Sequence, residues 1–378
     1  MQAKSAFKST NFSAISAKSE FQDLSFHPIY SKWKPEFENF VPLKQKEFNM
    51  KKAYITHVTE DYLQVAKNLA KSVRAFSEIP LIVYAVDCKE GSESLFSEIP
   101  NVEIRNIHLG LDDSSSADYV FNPEGNFYID RRSPRIYKIL CAKTIAMEMA
   151  LEEGIEEICY LDSDCIASPI IDELFDWMPK IKDYPICTEG IHEYMIIVEQ
   201  NGFERGNPFE GTWPNADIKK TLEWPLMNFL QMPEYSRGIY RTTGIMLMNS
   251  KCLDFIKVWR ELCFMLPKLN VDLYHYAAYH EETIYNVLSW KKSNEGFPLC
   301  YVNLRDGLQT VRHFYEEGQP GFSTYMSEEN KDYTLNFYSI PSEKRNVKLL
   351  HGEKRPEEIE KIINYLVELK NSGYFNKF

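Results

Sequence analysis

The sequence predicts an α/β fold, a mainly parallel sheet flanked by helices. Three observations carry this. From Ala53 onward short apolar runs alternate with segments of helical period, the pattern of consecutive βα units. The run Leu81–Val86, LIVYAV, is apolar on both alternating faces, as a strand covered by helices on both sides must be. A second apolar run, Ile158–Leu161, passes directly into Asp162, Ser163 and Asp164. In open α/β sheets ligands collect at the carboxyl ends of strands, so this junction is where chemistry is expected.

Taken in order, residues 1–49 read as an N-terminal extension. Pro28, Pro35 and Pro42 interrupt any long helix there and no apolar period persists. Residues 50–378 read as one catalytic domain that includes a C-terminal helix. Ala53–Val58 is the first strand, and Val65, Ala66, Leu69, Val73 and Phe76 then form one apolar stripe of a helix. Ile136–Glu152 is a long helix closed by Gly154. Further strands are expected at Pro185–Thr188, Gly244–Met248, Cys300–Asn303 and Val347–Leu350. Further helices are expected at Lys251–Phe264, Glu281–Trp290 and Glu357–Leu369. Between Asn201 and Arg241 the chain is rich in Pro, Gly, Trp and Asn with little periodicity; a connection that long points to function.

Composition excludes several classes. With 378 residues, 44% hydrophobic and 14% aromatic, the chain can bury a large core. A net charge of −12 opposes a broad nucleic-acid interface, which needs clustered Lys and Arg. No run reaches the roughly 18 apolar residues of a transmembrane segment, and the first twenty residues lack a signal-peptide core. The expectation is a cytoplasmic protein, able to work peripherally at a membrane face. The eight cysteines are scattered with no CxxC pair, the pattern of reduced, buried thiols.

Asp162-Ser163-Asp164 is the single Asp-x-Asp of the chain. Two carboxylates at a strand end can hold Mn²⁺ or Mg²⁺, which completes its shell with phosphate oxygens and water. The same triplet also fits a solvated loop with a capping acid.

The ordered series ITHVTEDYLQVAKNLAKSV, LIVYAVD, RIYKILCAK, YLDSD, TTGIMLMNS, HEETIYNVL and LLHGEKRP, running from Ala53 to Pro356, resembles the motifs of GT-A glycosyltransferases. The similarity is to family eight, the glycogenin and galactosyltransferase-like enzymes. The resemblance implies a nucleotide-sugar donor, favouring a UDP-sugar, and a Mn²⁺ or Mg²⁺ cofactor. Asp162, Asp164 and His351 would be its ligands. It places His57, Thr59, Asp61 and Tyr62 at the nucleotide; on the structural reading Tyr62 merely opens a helix and His57 belongs to a strand. A basic helical residue would reach donor phosphate or sugar, with Lys138 the nearest match and Arg135 and Lys143 the alternatives. Ser163 and the backbone at Gly244 fall in the donor-binding set, with Thr242 and Thr243 replacing the family's usual residues. Glu281 and Glu282 occupy the reacting face of the sugar; as helix-opening acids they also suit the helix dipole. The C-terminal motif is shortened here, so the diphosphate-binding base is Lys354 or Arg355.

The resemblance implies transfer with retention, Glu282 beside the anomeric carbon. An inverting enzyme would use Glu281 or Glu282 as general base. The acceptor, whether glycan, lipid-linked or protein, is set by loops outside the resemblance. Two other readings stand beside this one. A non-catalytic carbohydrate- or nucleotide-sugar-binding protein could keep the same fold. A sugar-nucleotide pyrophosphorylase would need a Gly-rich loop after its first strand, and THVTEDY has none.

Overall fold

The computed structural model describes residues 51–111, 119–121, 127–129, 134–181, 183–187, 195–199, 202–206, 223–236, 243–265, 280–294, 311–313, 349–351 and 356–373. All belong to the second of the two units into which the chain divides, Gln45–Phe378. The expected strand Cys300–Asn303 and the extension over 1–49 lie outside the described residues.

Thirteen strands and six α-helices are described. The strands are β1 Lys52–Val58, β2 Leu81–Val86, β3 Val102–Ile107, β4 Tyr119–Phe121, β5 Phe127–Ile129, β6 Glu157–Leu161, β7 Cys165–Ala167, β8 Ile186–Cys187, β9 Met195–Glu199, β10 Gly202–Gly206, β11 Ile245–Asn249, β12 Val311–His313 and β13 Leu349–His351. The helices are α1 Leu63–Phe76, α2 Pro134–Glu152, α3 Trp224–Phe229, α4 Leu253–Met265, α5 His280–Asn294 and α6 Pro356–Asn371. The central sheet has six strands in the order β3-β2-β1-β6-β11-β8. Its first four are mutually parallel, and β11 runs antiparallel to both β6 and β8. The fold is therefore α/β with a mainly parallel sheet, as the βα alternation predicts. All six residues of β2 are buried, which accounts for a strand with no polar face.

Helix α1 buries Leu63, Ala66, Leu69, Ala70, Val73 and Phe76, so the predicted stripe is the buried stripe, with Val65 at its half-buried edge. Leu63, Leu69, Val73 and Phe76 each contribute about 1.5–3 kcal/mol by leaving water. Helix α2 is buried on most of its circumference because β1 lies on one side of it and α4 and α5 on another. It ends at Gly154, whose φ of +88° only glycine adopts without strain. The Gly154 amide donates to Leu151 O at 3.1 Å and the Ile155 amide to Ala150 O at 3.3 Å, closing the last turn in a Schellman motif.

Three small sheets accompany the central one among the described residues, the first an antiparallel pair of β4 and β5. The β9–β10 hairpin enters the stretch over 201–241 that reads as aperiodic in sequence, and α3 follows within it. A three-stranded sheet, β12-β13-β7, joins the chain immediately after Asp164 to its C-terminal part. The strands β3, β4, β5, β7, β9, β10 and β12 add to those expected from sequence. VEIRNI is a half-buried edge strand without an apolar run, and three residues are too few to establish a period.

Candidate active site

The carboxyl ends of β1 and β6 and the start of β11 converge, and α5 opens against them. Because β11 runs antiparallel to β6, its first residue Ile245 pairs with Leu161, and the Asp162 amide donates to Gly244 O at 2.7 Å. This fixes the first acid of the Asp-x-Asp at the sheet edge. Asp162, Ser163 and Asp164 form a half-buried turn, closed by the Cys165 amide donating to Asp162 O at 3.1 Å.

Lys143 is the hub. Its Nζ, on α2, donates to Thr243 O at 3.0 Å and to Thr243 Oγ1 at 3.1 Å. It lies 3.2 Å from Glu281 Oε1 and 3.4 Å from Asp162 Oδ1. Both the Lys143 and Glu281 side chains are buried, at 4% and 6% exposure. Burial works to lower the Lys143 pKa, but Asp162, Glu281 and Glu282 outweigh it and hold the ammonium above the usual lysine range. Lys143 also lies over the Tyr160 ring, 5.1 Å from its centroid.

The two glutamates are held from behind. The Trp259 indole donates to Glu281 O at 2.7 Å and the Asn286 amide to Glu282 O at 2.8 Å. Glu282 Oε2 accepts the Thr243 amide at 3.0 Å. Glu281 Oε2 is buried with no hydrogen-bond partner. Asp162, Glu281 and Glu282 thus bring three carboxylates to one ammonium.

His57, on β1, has both ring nitrogens engaged: Nδ1 lies 2.8 Å from the Tyr160 hydroxyl and Nε2 2.9 Å from Ile139 O. Burial first, then the Lys143 charge, push its pKa down to about 3, so the ring is neutral. Thr59 is buried and follows β1 in extended conformation, ahead of the short helix Glu60–Tyr62. Asp61 is 72% exposed and lies 3.6 Å from Arg135 Nη2, at the start of α2. Tyr62 packs half-buried against the core, and Lys138 is half-buried on α2. His351 is placed by its backbone, directly opposite Cys165 in the β7–β13 ladder. Its side chain, together with Thr242, Gly352, Lys354 and Arg355, lies outside the described residues. The structure therefore brings together Asp162, Gly244, Lys143, Glu281 and Glu282, and sets His57 behind them. Among the described residues no group of three His, Cys, Asp or Glu is placed to hold a metal, and the trio with His351 includes one side chain not described.

No family model and no curated protein matches the sequence. Solved structures do resemble the fold. A galactosyltransferase, LgtC, in complex with donor and acceptor sugar analogues, is 14% identical over 82% of this chain and 95% of its own, with a TM-score of 0.43. An active-site mutant of LgtC gives 14% identity, 85% and 95% coverage and a TM-score of 0.41. The bifunctional glycosyltransferase WbbM, in its apo form, is 13% identical over 85% of this chain, which spans 50% of that longer one, at a TM-score of 0.46. These structural neighbours are glycosyltransferases.

Residues the motifs did not single out complete the constellation. Tyr160 donates toward Asp162 Oδ1 at 2.9 Å, and Trp259 anchors the opening of α5. The signal for Tyr160 was present in the sequence. A tyrosine inside a buried apolar strand needs a partner for its hydroxyl, and the residue two along the strand shares its face.

Proposed function

We propose that the protein is a metal-dependent glycosyltransferase that moves a sugar from a nucleotide diphosphate donor, a UDP-sugar, to an acceptor hydroxyl with retention of configuration. The observation that carries this is the pairing of β13 with β7, which sets His351 opposite Cys165, next to Asp164. The turn that holds the acidic pair, which leads straight into β7, and the strand that holds the C-terminal histidine are far apart in sequence and thereby adjoin.

The donor set fits a hard divalent cation. It is made of carboxylate oxygens with one imidazole, and the surrounding acids outnumber the buried ammonium. Asp162 and Asp164, with His351, would hold Mn²⁺ or Mg²⁺, which when bound supplies positive charge to the departing diphosphate. The chain's own residues do the rest. Lys143 spends its hydrogens on Thr243, Glu281 and Asp162, so it braces the acids. The Gly244 carbonyl holds the Asp162 backbone against the sheet. Glu282, fixed through the Thr243 amide, presents negative charge where the anomeric carbon gains positive character. Nucleotide bound at the ends of β1 and β6 would meet Thr59, Asp61, Tyr62 and Ser163, with Lys138 and Lys354 or Arg355 as further phosphate contacts.

A panel of nucleotide sugars assayed for nucleotide release, with and without Mn²⁺, tests the reading. Release from a UDP-sugar that depends on Mn²⁺ supports it, and proton NMR of the new glycoside reports the anomeric outcome. Tight UDP binding without any turnover would favour the binding-protein reading instead.

A further inference from the structure

Three short contacts run in series behind the acidic pair: Ile139 O to His57 Nε2 at 2.9 Å, His57 Nδ1 to the Tyr160 hydroxyl at 2.8 Å, and that hydroxyl to Asp162 Oδ1 at 2.9 Å. Each is short enough to need a hydrogen. A carbonyl oxygen only accepts, so Nε2 carries the ring hydrogen and donates to Ile139 O. A neutral ring has no second hydrogen, which makes Nδ1 an acceptor. Tyr160 has one hydrogen and two acceptors, His57 Nδ1 and Asp162 Oδ1. Three contacts therefore share two hydrogens.

We propose that the Tyr160 hydroxyl is a two-position switch and that His57 is the positioning residue that lets it release Asp162 when a divalent cation binds there. With no cation the anionic carboxylate is the stronger acceptor, and Tyr160 donates to Asp162. A cation drawing on the same carboxylate weakens it as an acceptor, and the hydroxyl turns to Nδ1. Without His57 the turned hydroxyl would face no acceptor in a buried site, a cost charged against cation binding. The inference rests on Asp162 being a cation ligand, as proposed above, and extends it to Tyr160, which contacts Asp162, and to His57 behind it.

The amide of glutamine offers one donor and one acceptor, as the neutral ring does, so His57→Gln keeps both hydrogen bonds and His57→Leu removes them. Titration calorimetry with Mn²⁺ alone should show a dissociation constant raised roughly tenfold or more in His57→Leu, the scale of leaving one buried hydroxyl without an acceptor, and restored in His57→Gln. In a Tyr160→Phe background, where no hydrogen remains to strand, the same His57→Leu change should have no effect on Mn²⁺ affinity. Equal losses in both backgrounds overturn the switch. The parent protein gives an independent reading: with ¹⁵N-labelled histidine, Mg²⁺ should move the His57 Nδ1 resonance upfield as it gains a hydrogen bond. A resonance that stays put while Mg²⁺ binds also overturns it. If Asp162→Asn binds both cations as the parent does, the cation reading of Asp162 fails, and the switch fails with it. If Asp162→Asn abolishes binding while the Nδ1 resonance of the parent is static, only the switch fails.

Discussion

Lys143 Nζ donates to Glu281 Oε1 at 3.2 Å across a sequence separation of 138 residues, tying the middle of α2 to the first turn of α5. The pair is buried, and its partners cannot be replaced by water. Lys143→Met should therefore cost about 3–5 kcal/mol, the range for stranding one member of a buried ion pair. Adding Glu281→Gln to it should recover part of that loss, because the stranded charge is then gone. Urea denaturation of the single and double variants measures both, and strict additivity would show that the contact carries no coupling.

How much of this was legible beforehand depends on range. Asp162 could be read because an apolar strand ends abruptly in acid, a local event. Glu281 and Glu282 could be read as the opening of a helix. Lys143 could not be separated from Lys138 or Arg135, since any helical base looks solvated until α4 and α5 close over α2. The pairing of His351 with Cys165 is a contact between three-residue strands distant in sequence, and no local pattern encodes it. Tyr160 was visible as an apolar strand residue, yet its place between His57 and Asp162 required the β1–β6 register.

Acid sensitivity follows from His57. The folded pKa of about 3 lies below the 6.5 of an unperturbed ring, so between these values the unfolded state binds a proton that the folded state refuses. This contribution is fully present above pH 6.5 and is lost as pH falls toward 3. Urea midpoints at pH 7.5 and 4.5 should differ less in His57→Gln than in the parent. The same difference in both would remove His57 from the acid response.

Glu148 has the opposite sign. Burial, only partly offset by Arg260 at 2.6 Å, raises its pKa from 4.5 to about 7. The folded state then holds the proton that the unfolded state gives up, so this contribution is full below pH 4.5 and declines through pH 7. Glu148→Gln should flatten stability across that window. A parent and variant with parallel stability profiles from pH 4.5 to 8 would refute it.

Metal dependence is the next test. On the proposed function Asp162→Asn and Asp164→Asn each remove one charged oxygen that would hold the cation, and His351→Ala removes the histidine whose backbone lies opposite Cys165. Each should raise the Mn²⁺ concentration needed for half-maximal nucleotide release by roughly tenfold or more while leaving the melting temperature within a few degrees. For Asp162 a small loss of stability is expected in addition, since its carboxylate also answers Lys143 and Tyr160. Superimposable Mn²⁺ titrations for all three variants would end the metal assignment.

Glu281 and Glu282 are neighbours on one helix with different attachments, and this separates their roles. Glu281 faces Lys143, so Glu281→Gln breaks an ion pair and should lower stability by about 3–5 kcal/mol. Donor affinity should fall with it, through the displaced Lys143 and Asp162. Glu282 is bound to a backbone amide, a bond the amide oxygen of glutamine can accept equally well. Glu282→Gln therefore keeps the geometry and removes only charge. On the proposed function that charge would lie beside the anomeric carbon, where it matters most as the C–O bond breaks, so the loss belongs in kcat. A decrease of roughly 10²-fold with donor KM within a few-fold of the parent is the expected result. If Glu282→Gln turns over at the parental rate, its carboxylate has no part in transfer, and the charge that would stabilise the reacting sugar comes from another residue.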